Sequence, residues 1–309
     1  MSEVGGRAPS PGVTALVGPT ASGKSALAHA AARAAGDVEI VTVDSMQVYR
    51  GMDIGTAKPT AAERSEVCYH LLDLAEPDED FSLGRFLEAA RAAMADIAGR
   101  GQRALLVGGT GLYVRALVDD LEIPGVHPDA RGEIEAEPDT AALHARLVEL
   151  DPVAAARMES TNRRRVIRAL EVTLGSGRPF SSFGPGLEVY PSSPVHQVGL
   201  RIPADVLDRR IAERVDAMVA AGLVEEVSRL AARPGGPSRT ARQALGYAEV
   251  LDHLEGGCSL DEAVAEIVRR TRRFARRQVR WFRRDPRIRW VETTGNPLPA
   301  PATVLGDST

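Results

Sequence analysis

A chain of 309 residues has room for one large domain or two smaller ones. Its formal net charge of −4 supplies no global field for nucleic acid, and it has no apolar run of the ~18 residues that a membrane helix needs. The two cysteines, Cys68 and Cys258, lie far apart, which argues against a disulfide framework or a cysteine metal cluster and for a reduced, cytoplasmic protein.

Met1 to Gly12 lacks a basic region followed by an apolar core. It reads as a short unstructured lead-in rather than a secretory leader. The apolar run Val13 to Val17 then meets Gly18-Pro19-Thr20-Ala21-Ser22-Gly23-Lys24-Ser25, and an Ala-rich helical stretch, Ala26 to Ala35, follows. Strand, G-x-x-x-x-G-K-[ST] and helix in that order predict a P-loop. Gly18 and Gly23 let the backbone curl so that successive N–H groups face one anion, and the start of the helix adds its own N–H groups and dipole. Lys24 is expected to reach the outer phosphate and Ser25 to hold Mg²⁺. The chain therefore binds a di- or triphosphate. Only two of its 38 basic residues are lysine, Lys24 and Lys58. Ammonium and guanidinium are not interchangeable at a tight phosphate site, which singles out Lys58 as well.

Val38 to Val43, rich in β-branched residues, predicts a buried parallel strand that ends at Asp44-Ser45-Met46-Gln47. Ligands of open α/β sheets sit beyond the carboxyl ends of strands, so Asp44 is either placed for chemistry or is an ordinary turn or helix-capping residue. Ala61 to Val67 reads as a short helix, Tyr69 to Leu74 as an extended or irregular piece, and Phe81 to Ala98 as an amphipathic helix. Arg103 to Val107 predicts a second buried strand, leading into Gly108-Gly109-Thr110-Gly111. A P-loop ATPase or GTPase usually carries an acidic Mg²⁺ ligand at such a strand end. Here small residues admit a ligand close to the backbone, and Thr110 offers a hydroxyl.

From about residue 119 to 194 prolines punctuate short helical pieces: Thr140 to Glu149, Pro152 to Glu159, and Arg163 to Val172 with Arg163, Arg164, Arg165 and Arg168. This reads as a small all-helical insertion domain. Val195 to Ile202 returns to the parent sheet, so residues 1–118 and 195–309 form an α/β, P-loop NTPase-like core, a parallel sheet flanked by helices. Pro203 to Arg233 is helical with a break expected at Gly222, and it carries Arg209, Arg210 and Arg214. Arg242-Gln243-Ala-Leu-Gly-Tyr247 opens another helix. Leu260 to Arg284 is the last long one, with Ile267, Thr271, Phe274, Gln278 and Phe282 on one face. Arg269, Arg272, Arg273, Arg276, Arg280, Arg283 and Arg284 form a basic stripe with few acidic neighbours in sequence, the footprint of a phosphate backbone.

These motifs together resemble the tRNA dimethylallyltransferase family, the tRNA isopentenyltransferases. The P-loop octet, Asp44 to Pro59, Gly108 to Tyr113, Arg168-Ala-Leu-Glu-Val172, Arg242 to Tyr247 and Thr271-Arg-Arg-Phe-Ala-Arg-Arg-Gln278 carry the resemblance over almost the whole chain. It implies transfer of the dimethylallyl group of dimethylallyl diphosphate to N6 of the adenosine just 3′ of the anticodon, with Mg²⁺, and a nucleotide-binding loop repurposed to hold diphosphate. Asp44 would be the general base, since an exocyclic adenine amine is a poor nucleophile until it loses a proton. Lys24, Ser25 through Mg²⁺, and Arg214 would stabilise the leaving diphosphate, and Thr20 and Thr110 would bind it or orient the base. The target base must be flipped out, with Ser45, Met46 and Gln47 bordering it. The insertion would contact the anticodon stem-loop. Arg164, Arg165, Arg168, Arg242, Gln243, Tyr247, Arg272 and Arg276 are the implied tRNA contacts, and Arg131 matches a family arginine of catalytic importance. A monomer is expected. The rivals are a P-loop kinase, an isopentenyltransferase for free adenine nucleotides, and a non-catalytic RNA-binding module; none of them accounts for all of these motifs.

Overall fold

The computed structural model describes residues 12–184, 186–294 and 299–305, so the lead-in expected over Met1 to Gly12 lies outside it except for Gly12. The chain divides into two compact units, Met1–Asp119 with Ser192–Thr309, and Asp120–Pro191.

The first unit is built on a six-stranded sheet, all parallel: β1 (Thr14–Val17), β2 (Val38–Val43), β3 (Tyr69–His70), β4 (Arg103–Gly108), β5 (His196–Arg201) and β6 (Ile288–Glu292), in the order β3-β2-β4-β1-β5-β6. β1 and β2 are buried at every residue, which is why they read as continuous apolar or β-branched runs rather than alternating ones. Register decides where the site lies. Val17 of β1 stands opposite Gly108 of β4, and so does Val43 of β2. The loops after β1, β2 and β4 therefore leave the sheet side by side. β5 returns to pair with β1, as expected. β6 is not apparent from the sequence, because five residues with one polar pair look like the frayed end of the preceding Arg-rich helix.

Helices α1 (Lys24–Ala35), α2 (Ala61–Glu66) and α3 (Leu83–Gly99) connect the first four strands, and α4 (Gly111–Val118) follows β4. Leu27, Ala28, Ala31 and Ala32 of α1 pack on Leu16, Ile40, Leu105 and Val198 of the sheet, and Gly36, at φ 76°, ends the helix in the left-handed region. In the second unit, α5 (Pro128–Glu135), α6 (Thr140–Leu150), α7 (Pro152–Ala156) and α8 (Arg163–Ser176) share their own core, centred on Ile134, Leu143, Leu147, Val166 and Leu170. The first unit then resumes with α9 (Ala204–Ala220), α10 (Leu223–Ala231), α11 (Arg239–Arg242), α12 (Tyr247–Leu254), α13 (Leu260–Phe282) and α14 (Ala302–Leu305). Gly222, at φ 100°, makes the break between α9 and α10. A Ser259–Glu262 capping box starts α13.

The irregular segment between β2 and α2 is held by buried charge. Lys58 does not meet phosphate, as its rarity suggested it would. Its ammonium is buried and donates to the Tyr49 carbonyl at 2.5 Å, Asp53 Oδ1 at 2.7 Å and Asp73 Oδ1 at 2.6 Å, which uses all three of its protons. From the other side the buried Glu226 carboxylate of α10 accepts from the backbone N–H groups of Asp53, Ile54 and Gly55. A side chain at Gly55 would collide with the ring of Tyr247. Lysine is retained at position 58 because three acceptors converge on a point charge, a geometry that a planar guanidinium does not match. Lys58→Met should lower stability by about 2 kcal/mol in chemical denaturation. Lys58→Arg should fail to restore it, and parental stability in the arginine variant would overturn this account.

Candidate active site

The P-loop leaves β1 at Gly18 and enters α1 at Lys24. Ala21 lies at φ 62° and Gly23 at φ 89°. A left-handed alanine is strained, and such strain persists only where the surroundings over-determine it. Among the described residues nothing partners the buried Ser22 Oγ. Ser25, in the first turn of α1, is exposed. Lys24 Nζ folds back to donate to the Pro19 carbonyl at 3.3 Å. Burial first, and then the nearby Arg214 guanidinium, push its pKa from 10.5 down to about 8, and Asp44 opposes the fall. Arg214, from α9, is itself held below its usual value by burial, again against the pull of Asp44. Two cations and one carboxylate thus share one neighbourhood, a net positive spot suited to a multiply charged anion.

Asp44 follows β2 directly. Its Oδ1 accepts from the N–H of Met46 at 2.8 Å and, more weakly, from that of Gln47 at 3.4 Å. The turn reading and the chemical reading are therefore compatible. One oxygen fixes the turn, and among the described residues no protein donor takes the other. Ser45, Met46 and Gln47 are half-buried around it. Gln47 is committed locally, since its side-chain amide donates to the Thr56 carbonyl at 2.9 Å. Tyr113, on α4, has its phenol pushed up to about 12 by burial, then by Tyr49 and Asp44.

Thr110 occupies the N-cap of α4, but its side chain makes no capping bond. The glycines around it have a reason other than ligand approach. A side chain at Gly108 would strike Val43 of the neighbouring strand, one at Gly109 would strike Gln278, and one at Gly111 would strike Trp281. The loop is glycine-rich because α13 packs onto it. Gln278 accepts from the Thr20 N–H at 2.9 Å and donates to the Gly109 carbonyl at 2.9 Å. The Thr20 N–H therefore faces α13, whereas the sequence assigns it to the anion cradle.

The expected tRNA contacts divide. Tyr247 is 2 % exposed and donates to Glu226 Oε1 at 2.6 Å. It is a structural prop of the Asp53–Gly55 turn, and the expectation that it touches tRNA is withdrawn. Its Gly-Tyr setting reads as a helix start, and only burial distinguishes a prop from a platform. Gln243 and Arg242 are exposed, and Arg242 pairs with Glu255 at 2.8 Å. Arg272 and Arg276 both reach Asp208 of α9, through its carbonyl and its carboxylate respectively. Arg269 pairs with Glu266, and Arg270 with Glu249. The stripe that looks unpartnered in sequence is thus partly neutralised by acids that folding supplies. Within the second unit, the carboxylate of Glu171, fully buried, accepts from Arg131 at 3.3 Å and Arg168 at 2.7 Å, while Arg164 and Arg165 are exposed.

Counting cysteines also missed a neighbourhood. Cys68 Sγ lies 3.5 Å from His70 Nε2, which lies 2.6 Å from Glu39 Oε2 near the amino end of β2. Arg100 pairs with the same carboxylate and pulls its pKa down to about 2, against the cost of burial. That ion pair already engages the carboxylate.

With this geometry described, the comparison with known proteins is decisive. A family model described as IPP transferase matches residues 47–285. The chain belongs to the IPP transferase family. A second model, isopentenyl transferase, matches residues 11–73, which include the P-loop and Asp44. The chain is 52 % identical over 297 residues to the tRNA dimethylallyltransferase of Kineococcus radiotolerans, covering 94 % of this chain and 91 % of that one. The crystal structure of the full-length tRNA isopentenylpyrophosphate transferase from Bacillus halodurans is similar at 40 % identity and a TM-score of 0.65, covering 91 % of this chain and 89 % of that one. A eukaryotic dimethylallyltransferase caught acting on tRNA matches at 25 % identity with a TM-score of 0.75, covering 91 % and 74 % of the two chains. An α/β fold with a parallel sheet is common to the IPP transferase family and to this chain.

The depressed pKa of Lys24 has a consequence for stability. Below about 8 the folded and unfolded chains both carry its proton, and the cost of burying the charge is present in full. Between about 8 and 10.5 only the unfolded chain keeps the proton, so stability rises with pH across that window. Lys24→Met should remove this slope and raise the thermal midpoint at neutral pH, while affinity for inorganic pyrophosphate in calorimetry falls at least ~10-fold. A methionine variant less stable than the parent at neutral pH would contradict the burial argument.

Proposed function

We propose that the protein transfers the dimethylallyl group of dimethylallyl diphosphate to N6 of the adenosine 3′ of the anticodon in tRNA. The observation that carries this reading is the juxtaposition of Asp44, half engaged in its turn, with Lys24 and Arg214 at the mouth of a P-loop. The sheet strand next to the loop ends on Gly108 rather than on an acidic residue, which favours a loop that holds a leaving group over one that hydrolyses a nucleotide. The relatives named as tRNA dimethylallyltransferases support the same reaction.

In this mechanism N6 attacks C1 of the allylic group. Asp44 takes the N6 proton through its second oxygen as the N–C bond forms, and the C1–O bond breaks with its electron pair passing to diphosphate. Lys24, Arg214 and the remaining loop N–H groups meet the charge that develops there. The exposed Ser25 hydroxyl suits a Mg²⁺ ion that takes most of its ligands from phosphate and water. Bound there, Mg²⁺ would supply Lewis-acid charge to the diphosphate oxygens. Ser45, Met46 and Gln47 border the base, Arg164, Arg165, Arg168, Arg242, Gln243, Arg272 and Arg276 remain as candidate tRNA contacts, and Arg131 remains a candidate catalytic arginine. The protein acts as a monomer in the cytoplasm. No helix among the described residues is long and apolar enough to cross a membrane.

Radiolabelled dimethylallyl diphosphate, Mg²⁺ and an unmodified anticodon stem-loop should give label in RNA, lost when the target adenosine is replaced by guanosine. Label in AMP instead would point to the free-nucleotide enzyme, and ATP consumption without transfer to a kinase. Asp44→Asn keeps an oxygen for the Met46 N–H but cannot take a proton, so it should bind the stem-loop normally and lose turnover by roughly 10² or more. Wild-type turnover in that variant would exclude Asp44 as the base.

A further inference from the structure

Among the described residues, Gln278 is the one buried amide that joins the two loops of the site, and the proposed reaction gives it nothing to do. It lies on α13, 7 % exposed, among residues that pack the helix against the core unit. Its Oε1 accepts from the Thr20 N–H and its Nε2 donates to the Gly109 carbonyl, both at 2.9 Å. Thr20 belongs to the loop after β1, and Gly109 to the loop after β4. A side chain at Gly109 would collide with the amide, and one at Gly111 would collide with Trp281, one helical turn further along α13. The contact is therefore keyed at two successive places, and both glycines exist to admit it. Three residues toward the start of the same helix, Ala275 is buried against Leu207 and Ile211 of α9, the helix that carries Arg214. Arg272 and Arg276 flank it and reach Asp208, also on α9.

We infer that Gln278 is a positioning residue, whose amide locks the diphosphate loop to the Thr110 loop and makes the geometry of both depend on the seating of the arginine-bearing helix α13. This deepens the reaction proposed above and rests on it. An amide is suited to the task because it offers one donor and one acceptor at a fixed spacing, and because it carries no charge beside Lys24 and a bound diphosphate. A carboxylate would keep the acceptor for Thr20 but would face the Gly109 carbonyl with no proton. A leucine of similar size would leave both backbone groups unsatisfied in a buried place.

The test uses the full-length chain and two substitutions. Gln278→Leu should lower kcat at least ~10-fold while KM for the stem-loop stays within about twofold. Gln278→Glu should make the rate depend on pH in a way the parent does not. The protonated acid reproduces both hydrogen bonds, so activity is near parental at about pH 6 and is lost toward about pH 9, as a buried carboxyl with a raised pKa gives up its proton. A structural role alone would not create this new ionisation. Parental kcat in Gln278→Leu, or a pH profile of Gln278→Glu that superimposes on the parent's, would overturn the inference. If the leucine variant fails to fold, the glutamate profile decides alone. The parent assayed alongside separates the two levels. If the parent itself transfers no label to RNA, the reaction is wrong, and the brace is then read from inorganic pyrophosphate binding, which Gln278→Leu should weaken at least ~10-fold if the lock exists and leave unchanged if it does not.

Discussion

The parallel register of three strands is the constraint on which the site depends. Val17, Val43 and Gly108 end β1, β2 and β4 at one level, so the P-loop, Asp44 and Thr110 emerge as neighbours although they lie far apart in the chain. A slip of one residue in any of these pairings would turn a strand over and carry its loop away from the others. Burial on both faces prevents that slip, because every residue of β1 and β2 is needed in the core.

Register brings the loops together but does not hold them still. That work falls to three buried polar side chains whose strong partners are backbone groups, opposite charges and one buried phenol. Lys58 gathers Tyr49, Asp53 and Asp73, Glu226 gathers the Asp53–Gly55 turn and Tyr247, and Gln278 joins Thr20 to Gly109. Each is costly to leave unpaired, and so each specifies one arrangement of its loop rather than many. Preorganised donors and a fixed carboxylate suit the proposed reaction, whose barrier lies in charge passing from a carbon–oxygen bond to diphosphate. The same logic accounts for the energetic penalty at Lys24, a cation kept where burial and Arg214 disfavour it, as the proposed reaction requires beside its leaving diphosphate.

Charge along α13 shows how folding edits a sequence signal. Nine arginines in the sixteen residues 269–284 look like one continuous basic surface. In the fold, Asp208 answers Arg272 and Arg276, and Glu249 answers Arg270. What remains for a polyanion is the outer face, and the inner face is a packing surface aimed at the Gly108–Gly111 loop. One helix thus serves both the phosphate backbone it is proposed to meet and the loop geometry of the site.

Much of the architecture was legible in the sequence because it follows from local rules. The P-loop shows itself by glycine spacing between an apolar run and an Ala-rich helix, β2 and β4 by β-branched or apolar runs bounded by glycine, and the end of α9 by Gly222. The resemblance of the Asp44–Pro59 motif to the IPP transferases was likewise carried by contiguous residues. What tertiary structure alone decided is which polar residue faces which partner. Lys58 and Tyr247 look like ligand-facing residues and prove to be buried props. Gln278 looks like one more residue on a helix face and proves to be a bridge between two loops. Gly109 and Gly111 look like room for a ligand and prove to be room for α13. Composition and spacing report a side chain's chemistry and its place on an element, but long-range packing chooses whether that side chain meets solvent, substrate or another part of the chain. Position 58 illustrates the difference: the sequence singles out a lysine, and only the convergence of Tyr49, Asp53 and Asp73 on one buried point explains why it has to be one.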